Sequence, residues 1–311
     1  GRINNSLRQV AMPLLGVLIL LLALYNQRLN GYLPGNGNYM ALSVTEHHRR
    51  AAAIISEIPA DAAVSAQDRL NPHVSGRETL YIFPRIEDER LGAADTVFLD
   101  VTGPAWPQHP NDLRASVDAL LADDFGIAAA DDGYLLLRRG VENKAIPASF
   151  YSAWAAPEVE TDGGLGLQYG DALELLDFRI KPDRYGELVA EITWLPLKEM
   201  SSDYRFYVAY LAADGSVLHE NNFYQPVNVL WYPTTLWEPG RPVRIRTLPW
   251  TLDVDQFVPL LGVYTGQNWA EGEQLPITLT DSAALDSATM PLLQGGKVAR
   301  LGGYQRDAAG A

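Results

Sequence analysis

Residues 10–25 read VAMPLLGVLILLLALY, and this stretch fixes the solvent against which the chain begins to fold. It sits in an uncharged interval, residues 9–27, bounded by Arg8 and Arg28. As a helix that interval is about 28 Å long at ~1.5 Å per residue, enough to span the hydrocarbon of a bilayer. Pro13 and Gly16 are tolerated inside membrane helices, and Tyr25 stands where an interfacial aromatic belongs. A secretory signal peptide is the competing reading, with Arg2 and Arg8 as its basic start. No small-x-small cleavage site follows Leu24, however, because the next residues are Tyr25-Asn26-Gln27-Arg28. Residues 1–30 are therefore read as a transmembrane helix with its flanks, and the lipid bilayer as a partner through residues 9–27. The chain starts at Gly1, which leads us to expect a longer parent protein in which this helix is the last of several. Arg2 and Arg8 precede the helix and Arg28 alone follows closely, an asymmetry that predicts a cytoplasmic N-terminus and residues 43–311 on the extracytoplasmic side of the cell membrane.

The 311 residues are 47% hydrophobic and 20% charged, the profile of a packed globular chain. The formal net charge of −14 has the wrong sign for a protein that must displace counterions from a phosphodiester backbone, so nucleic acid is not an expected partner. With no cysteine, neither a disulfide framework nor a thiolate metal site can form.

Beyond a Gly/Asn/Pro-rich connector at 31–38, residues 43–140 alternate helical and extended patterns. Thr45 can cap a helix carrying Ile54, Ile55 and Ile58, which Pro59 ends. Short apolar or β-branched runs at 62–65, 79–83 and 96–101 read as buried strands. Pro110-Asn111 opens a second helix with Leu113, Val117, Leu120 and Leu121 on one face. Runs at 126–129 and 134–138 flank Asp132-Gly133 as a hairpin. Together these predict an extracytoplasmic α/β layer domain. Residues 141–170, with Pro147, Pro157 and the Gly163-Gly164-Leu165-Gly166 cluster, read as an interdomain linker.

Residues 171–280 change character. Leu188, Ala190, Ile192 and Trp194 share one face of an extended run, as do Tyr204, Phe206, Val208 and Tyr210. Asp214-Gly215 marks a hairpin, and further runs fall at 242–248, 257–264 and 275–279, so this part reads as an antiparallel β-sandwich. The Gly/Ala-rich tail, 281–311, is expected to be partly mobile. The fold class is thus α+β multidomain: one transmembrane helix, a small α/β layer domain and a C-terminal sandwich.

The segments IPADAAVSA (58–66), DRLNPHVSGR (68–77) and LYIFP (80–84), with AADTVFLD (93–100) and GYLLLRRG (133–140), resemble the C-terminal region of the membrane-protein family carrying domain of unknown function 2079. That family looks like the GT-C class of polytopic glycosyltransferases, which take sugars from polyprenyl-phosphate donors outside the membrane. The resemblance implies a parent protein whose catalytic acid lies in an early loop upstream of this chain, so no catalytic residue is carried over. A glycan or lipid-linked sugar would then be a partner through the parent. The second half, with DYRFYVAYL (203–211), PTTLWEPG (233–240) and LGVY (261–264), is similar to a β-sandwich appended to membrane glycosyltransferases of Chloroflexi-type bacteria, departing from it in the insertion 221–231. The implied role is that of an accessory or partner-binding segment. A self-contained, membrane-tethered binding or adhesion module is the alternative.

For chemistry within the chain, His47-His48 cannot both ligate one ion from a helix, since neighbours point about 100° apart. His73, His109 and His219 lie in different elements, and no metal or cofactor is expected. Ser75 lacks the first glycine of a nucleophile elbow. Asp123-Asp124 and Asp131-Asp132 suit a helix end and a turn. Trp231, Tyr232 and Trp237 crowd the inserted loop and the strand after it and leave two readings open: packing, the outcome expected for Trp237, or a stacking surface for a glycan or partner, with Trp231 the ring expected to be exposed. Asp68, Arg69 and Arg77 likewise either order a loop by ion pairs or face the membrane-embedded part of the parent.

Overall fold

In a computed structural model of the chain, the described residues are 5–31, 33, 35, 44–156, 165–183, 186–221, 224–252, 254, 256–279, 297, 299–301 and 304–305. The chain divides into two units, Gly1–Arg49 and Arg50–Ala311. In the first, α1 (Asn5–Asn30) is continuous through Pro13. Its stretch Ala11–Asn30 has a mean hydropathy of 1.6 with none of it buried in protein, so it is long and apolar enough to cross a membrane. From Met12 to Leu29 its large apolar side chains face outward all round, the pattern of a helix whose solvent is lipid.

The second unit opens with α2 (Glu46–Ser56, its first residues lying in the N-terminal unit), β1 (Val64–Ala66), β2 (Leu80–Ile82), β3 (Glu87–Asp88), β4 (Gly92–Ala93), β5 (Thr96–Asp100), α3 (Pro110–Ala122), β6 (Phe125–Asp131) and β7 (Tyr134–Arg139). Their main sheet has the order β2-β1-β5-β7-β6, with β2, β1 and β5 parallel and β7 and β6 antiparallel to their neighbours. Every residue of β5 is buried, as expected of a strand covered on both faces. Ala51 and Ile54 of α2, with Ile58, pack with Val64, Ala66, Phe98 and Leu136 on one face. Leu113, Val117 and Leu120 of α3 join Val97, Leu99, Leu135 and Leu137 in the core on the other. The β6–β7 turn puts Asp132 at φ 48° and Gly133 at φ 79°, the left-handed pair that lets a two-residue turn follow the strand twist.

The remainder comprises β8 (Leu167–Tyr169), β9 (Leu173–Pro182), β10 (Leu188–Pro196), β11 (Arg205–Leu211), β12 (Val217–Glu220), α4 (Val227–Trp231), β13 (Val243–Arg246), β14 (Gln256–Thr265), β15 (Glu273–Gln274), β16 (Ile277–Leu279), β17 (Ala299–Arg300) and β18 (Tyr304–Gln305). Two antiparallel sheets form, β13-β10-β9-β8-β16 and β12-β11-β14-β15, with β17 and β18 also on β14. The alternating face of β10 is buried as expected, and Trp194 meets Phe206 of the opposite sheet at 5.2 Å between ring centroids. Two details differ from the sequence reading. Tyr207 and Ala209, on the other face of β11, are buried too, because Trp269 stacks on Tyr207 at 4.7 Å. The run 275–279 is split: Leu275 N donates to Val263 O in one sheet, while Pro276, which has no N–H, offers its carbonyl to Gly170 N in the other. Pro276 thus marks the point where the chain changes sheets.

Within 141–170 lies a 3-10 helix, Ala148–Trp154, whose Phe150 is fully buried. Asp132 N and Gly133 N donate to Ser149 O and Phe150 O at 3.1 and 2.9 Å, and Ala156 N donates to Pro242 O at 3.0 Å. One core cluster consequently runs from β5 and α3 through Phe150 into the sandwich. Of the tail, 281–296, 298, 302–303 and 306–311 lie outside the described residues, as do 157–164 of the linker and 32, 34 and 36–38 of the connector.

His219 on β12 stacks on Trp250 and Tyr210 at 5.7 and 6.0 Å. Burial pushes its imidazole below the ordinary value, against the opposing charge of Glu220. The folded state therefore prefers neutral His219. The stability this contributes is complete above the unfolded value of about 6.5 and is lost as pH falls through the depressed folded value. Urea unfolding of wild type and His219→Gln at pH 7.5 and 5.5 should show the smaller acid-induced loss in the variant.

Candidate functional site

The parallel strands β2, β1 and β5 deliver their carboxyl ends to one edge of the sheet, the edge at which open α/β sheets place ligands. Gln67 directly follows β1 and is completely buried; its Oε1 accepts from Asp100 N at 2.9 Å. Asp100, the last residue of β5, is 4% exposed and pairs through Oδ2 with Arg69 Nη2 at 2.6 Å. Its Oδ1 accepts from Thr102 N at 2.8 Å and Thr102 Oγ1 at 2.6 Å. Arg69 Nη2 also donates to Asp100 O at 3.3 Å. A Cβ on Gly103 would lie 2.5 Å from Arg69 Nη1, so the guanidinium packs directly against the backbone of this glycine. Tyr134 stands opposite Asp100 in the β5–β7 register, and burial, reinforced by the Asp100 charge, pushes its phenol up.

Among the described residues, three buried polar atoms of this loop have no hydrogen-bond partner: Gln67 Nε2, Arg69 Nε and Asn71 Oδ1. Asp68 is exposed, and its Oδ1 accepts from Arg69 N at 2.6 Å. Arg77 lies apart from the cluster. It donates to Pro59 O, Val74 O and Ile58 O, tying the chain after α2 to the following loop. Beside the β3–β4 hairpin an open depression of about 860 Å³ is lined by Arg85 and by acids of residues 87–89, and Arg85 pairs with Asp88 within it.

The aromatic segment departs from its sequence expectation at Trp231 and follows the packing reading at Trp237. Trp231, expected to be exposed, has no solvent-accessible surface. The short helix α4 turns it inward, edge-on to Phe150 at 6.0 Å and beneath Arg114 Cζ at 5.0 Å. Trp237 is buried as well, stacked on Phe206 at 5.9 Å, and its Nε1 donates to Tyr232 O at 2.9 Å. Tyr232 is half-buried, with Tyr151 stacked on it at 4.6 Å. The three rings thus present no shared flat face to solvent. The exposed tryptophan is Trp106, 67% exposed on the loop after β5.

The acidic pairs serve the fold. Asp123 ends α3, Asp124 pairs with Arg139 at 2.6 Å and Asp131 with Arg50 at 2.9 Å, while Asp132 forms the hairpin turn. His109 caps α3, its Nδ1 accepting from Asn111 N at 3.2 Å. Among the described residues no group of three histidines or carboxylates converges as metal ligands.

Residues 10–136 match the model of DUF2079, a family described as a predicted membrane protein. The match starts in α1 and ends in β7, so it takes in the helix and the whole Gln67–Arg69–Asp100 cluster and stops short of the sandwich. No curated protein matches the chain. The match and the apolar helix agree on a membrane protein.

Sequence reasoning singled out Asp68, Arg69 and Arg77 but missed Gln67, Asp100 and Thr102. The available signal was a carboxylate closing an otherwise uncharged buried run, Thr96–Asp100, and a carboxamide directly after β1. For the insertion, Trp231→Ala should cost about 3–5 kcal/mol in denaturant unfolding, the range for emptying a large aromatic site. A loss below about 1 kcal/mol would show that the ring is not core.

Proposed function

We propose that residues 43–311 form the extracytoplasmic portion of a polytopic membrane protein resembling GT-C polyprenyl-phosphate-sugar glycosyltransferases, and that this portion is accessory rather than catalytic. The observation that carries the reading is a family match that runs from the apolar helix into β7 of the α/β sheet. It takes in helix and sheet together, which supports reading the sheet as part of a membrane protein. The side is argued from Arg2 and Arg8 ahead of the helix. The non-catalytic role is supported by the state of the carboxylates: Asp100, Asp124 and Asp131 are each held by an arginine. A general acid instead needs its carboxyl tuned upward by burial or a neighbouring acid.

In this reading residues 43–140 and 171–280 are two extracytoplasmic domains around segment 141–170. The loop carrying Asp68, Arg69 and Arg77 lies toward the membrane-embedded part of the parent, and glycan or lipid-linked sugar reaches the protein through that parent. Alkaline phosphatase fused after Ala311 should be active, and a cytoplasm-only reporter at the same point silent. The opposite pattern refutes the topology.

A further inference from the structure

We propose that the unit Arg50–Ala311 touches the bilayer directly, in addition to its tether through α1, by an aromatic ledge of Trp106, His109 and Tyr224 that enters the headgroup region of the lipid. The inference rests on the membrane helix alone. It goes beyond the accessory role proposed above and depends neither on the side of the membrane nor on a glycosyltransferase-like parent.

The ledge forms where two uncharged stretches meet. In a chain that is 20% charged, residues 101–111 and 221–237 contain no Asp, Glu, Lys or Arg. The first leaves β5 and opens α3; the second follows β12 and runs through α4. Two contacts join them across the fold. Asn111 Nδ2 donates to Gln225 O at 3.2 Å, and the rings of His109 and Tyr224 lie 4.6 Å apart. Gln108 N donates to Ala105 O at 2.9 Å, closing a turn with Trp106 inside it, and buried Ala105 fixes that turn to the core. Trp106 is 67% and Tyr224 55% exposed. Among the described residues of this unit no other indole, phenol or phenyl ring is left exposed, so the two stand out at one place.

Lipid is the occupant that this chemistry fits. Indole and phenol rings combine an apolar body with a polar tip and concentrate at the level of the headgroups. The backbone is suited to the same depth. Pro104, Pro107 and Pro110 have no N–H and Gln108 N is already bonded, so the loop around Trp106 carries few bare donors into a poorly hydrated layer. Of the charges that flank the loop in sequence, Asp100 is held by Arg69 and Asp112 lies in the first turn of α3. Reach is assured by covalent geometry. Fifteen residues separate α1 from α2, a span of at most about 50 Å at ~3.3–3.6 Å per residue, so lipid is present at high effective concentration and a weak interfacial affinity suffices. A second copy of the chain fits less well. Two rings offer about 300–500 Å² at ~150–250 Å² each, short of the ~800 Å² per partner of a stable protein interface.

The test uses the full chain in phosphatidylcholine nanodiscs made with ordinary or 6,7-dibromo acyl chains, bromine being a short-range quencher of indole emission. α1 contains no tryptophan, and of the seven in the chain Trp106 alone is exposed, the others being buried or half-buried. Quenching by lipid therefore reports on the second unit, and the emission difference between wild type and Trp106→Phe isolates the one ring. That difference should fall about twofold or more in brominated discs, as for a ring at the headgroup–acyl boundary. Trp106→Phe should abolish the bromine effect and Trp269→Phe should keep it, with thermal unfolding to show that both variants are folded. No bromine-dependent fall in wild type, an equal fall in Trp106→Phe, or quenching of the ring by aqueous acrylamide alone overturns the proposal. So does protection of Trp106 that appears only when a disc carries two copies of the chain. A failed topology assay with bromine quenching intact would sink the proposed location and leave this contact standing.

Discussion

Phe150 holds the second unit together. Its ring is enclosed by Tyr151, Trp154 and Trp231, each edge-on at 5.4 to 6.0 Å, an arrangement in which ring hydrogens point at π-faces. Its carbonyl and that of Ser149 close the β6–β7 turn, and two residues after Trp154 the backbone bonds to Pro242 at the entrance to β13. A seven-residue 3-10 helix therefore gives one side to the α/β sheet and the other to the sandwich. Such a short, geometrically poor helix persists because the aromatic packing around it supplies what its own hydrogen bonds do not. The burial of Trp231 follows from the same packing, since the ring completes the enclosure.

A second constraint is charge. With a net charge of −14, every carboxylate drawn toward the interior adds to self-repulsion unless a cation accompanies it. The fold answers locally. Asp100, almost wholly buried, has Arg69; on the sandwich face, burial pushes the Glu191 carboxyl up, but the hydrogen bond from Lys181 and the charge of Arg246 bring it net below the usual range. Exposed pairs such as Arg49–Glu46 add little by comparison, being screened by water and salt. The Arg69–Asp100 pair differs from the rest in its surroundings, because the carboxamide beside it is sealed in with a donor unused.

The helix and the sheet answer to two different solvents. α1 exposes apolar side chains all round and is long and apolar enough to cross a membrane, whereas β5 hides its five residues beneath α2 and α3. That one family match spans both ties the polar cluster at the sheet edge to a membrane protein without assigning it a reaction.

The sequence by itself determined whatever depends on local periodicity and backbone preference. The apolar span of α1, the stripe Leu113–Val117–Leu120, the alternating face Leu188–Trp194 and the Asp132-Gly133 turn are all of this kind, because a repeat of 3.6 or 2 and a left-handed turn are properties of neighbouring residues. Tertiary structure alone decided the rest. Segment 141–170 has the composition of a linker, and the enclosure of its Phe150 is completed by Trp231, 81 positions away and brought beside it by the fold. Pro276 reads as a simple interruption until two sheets compete for its neighbours. Gln67 and Asp100 lie 33 residues apart and meet because β1 and β5 pair in parallel, a register set by long-range burial that no local pattern encodes.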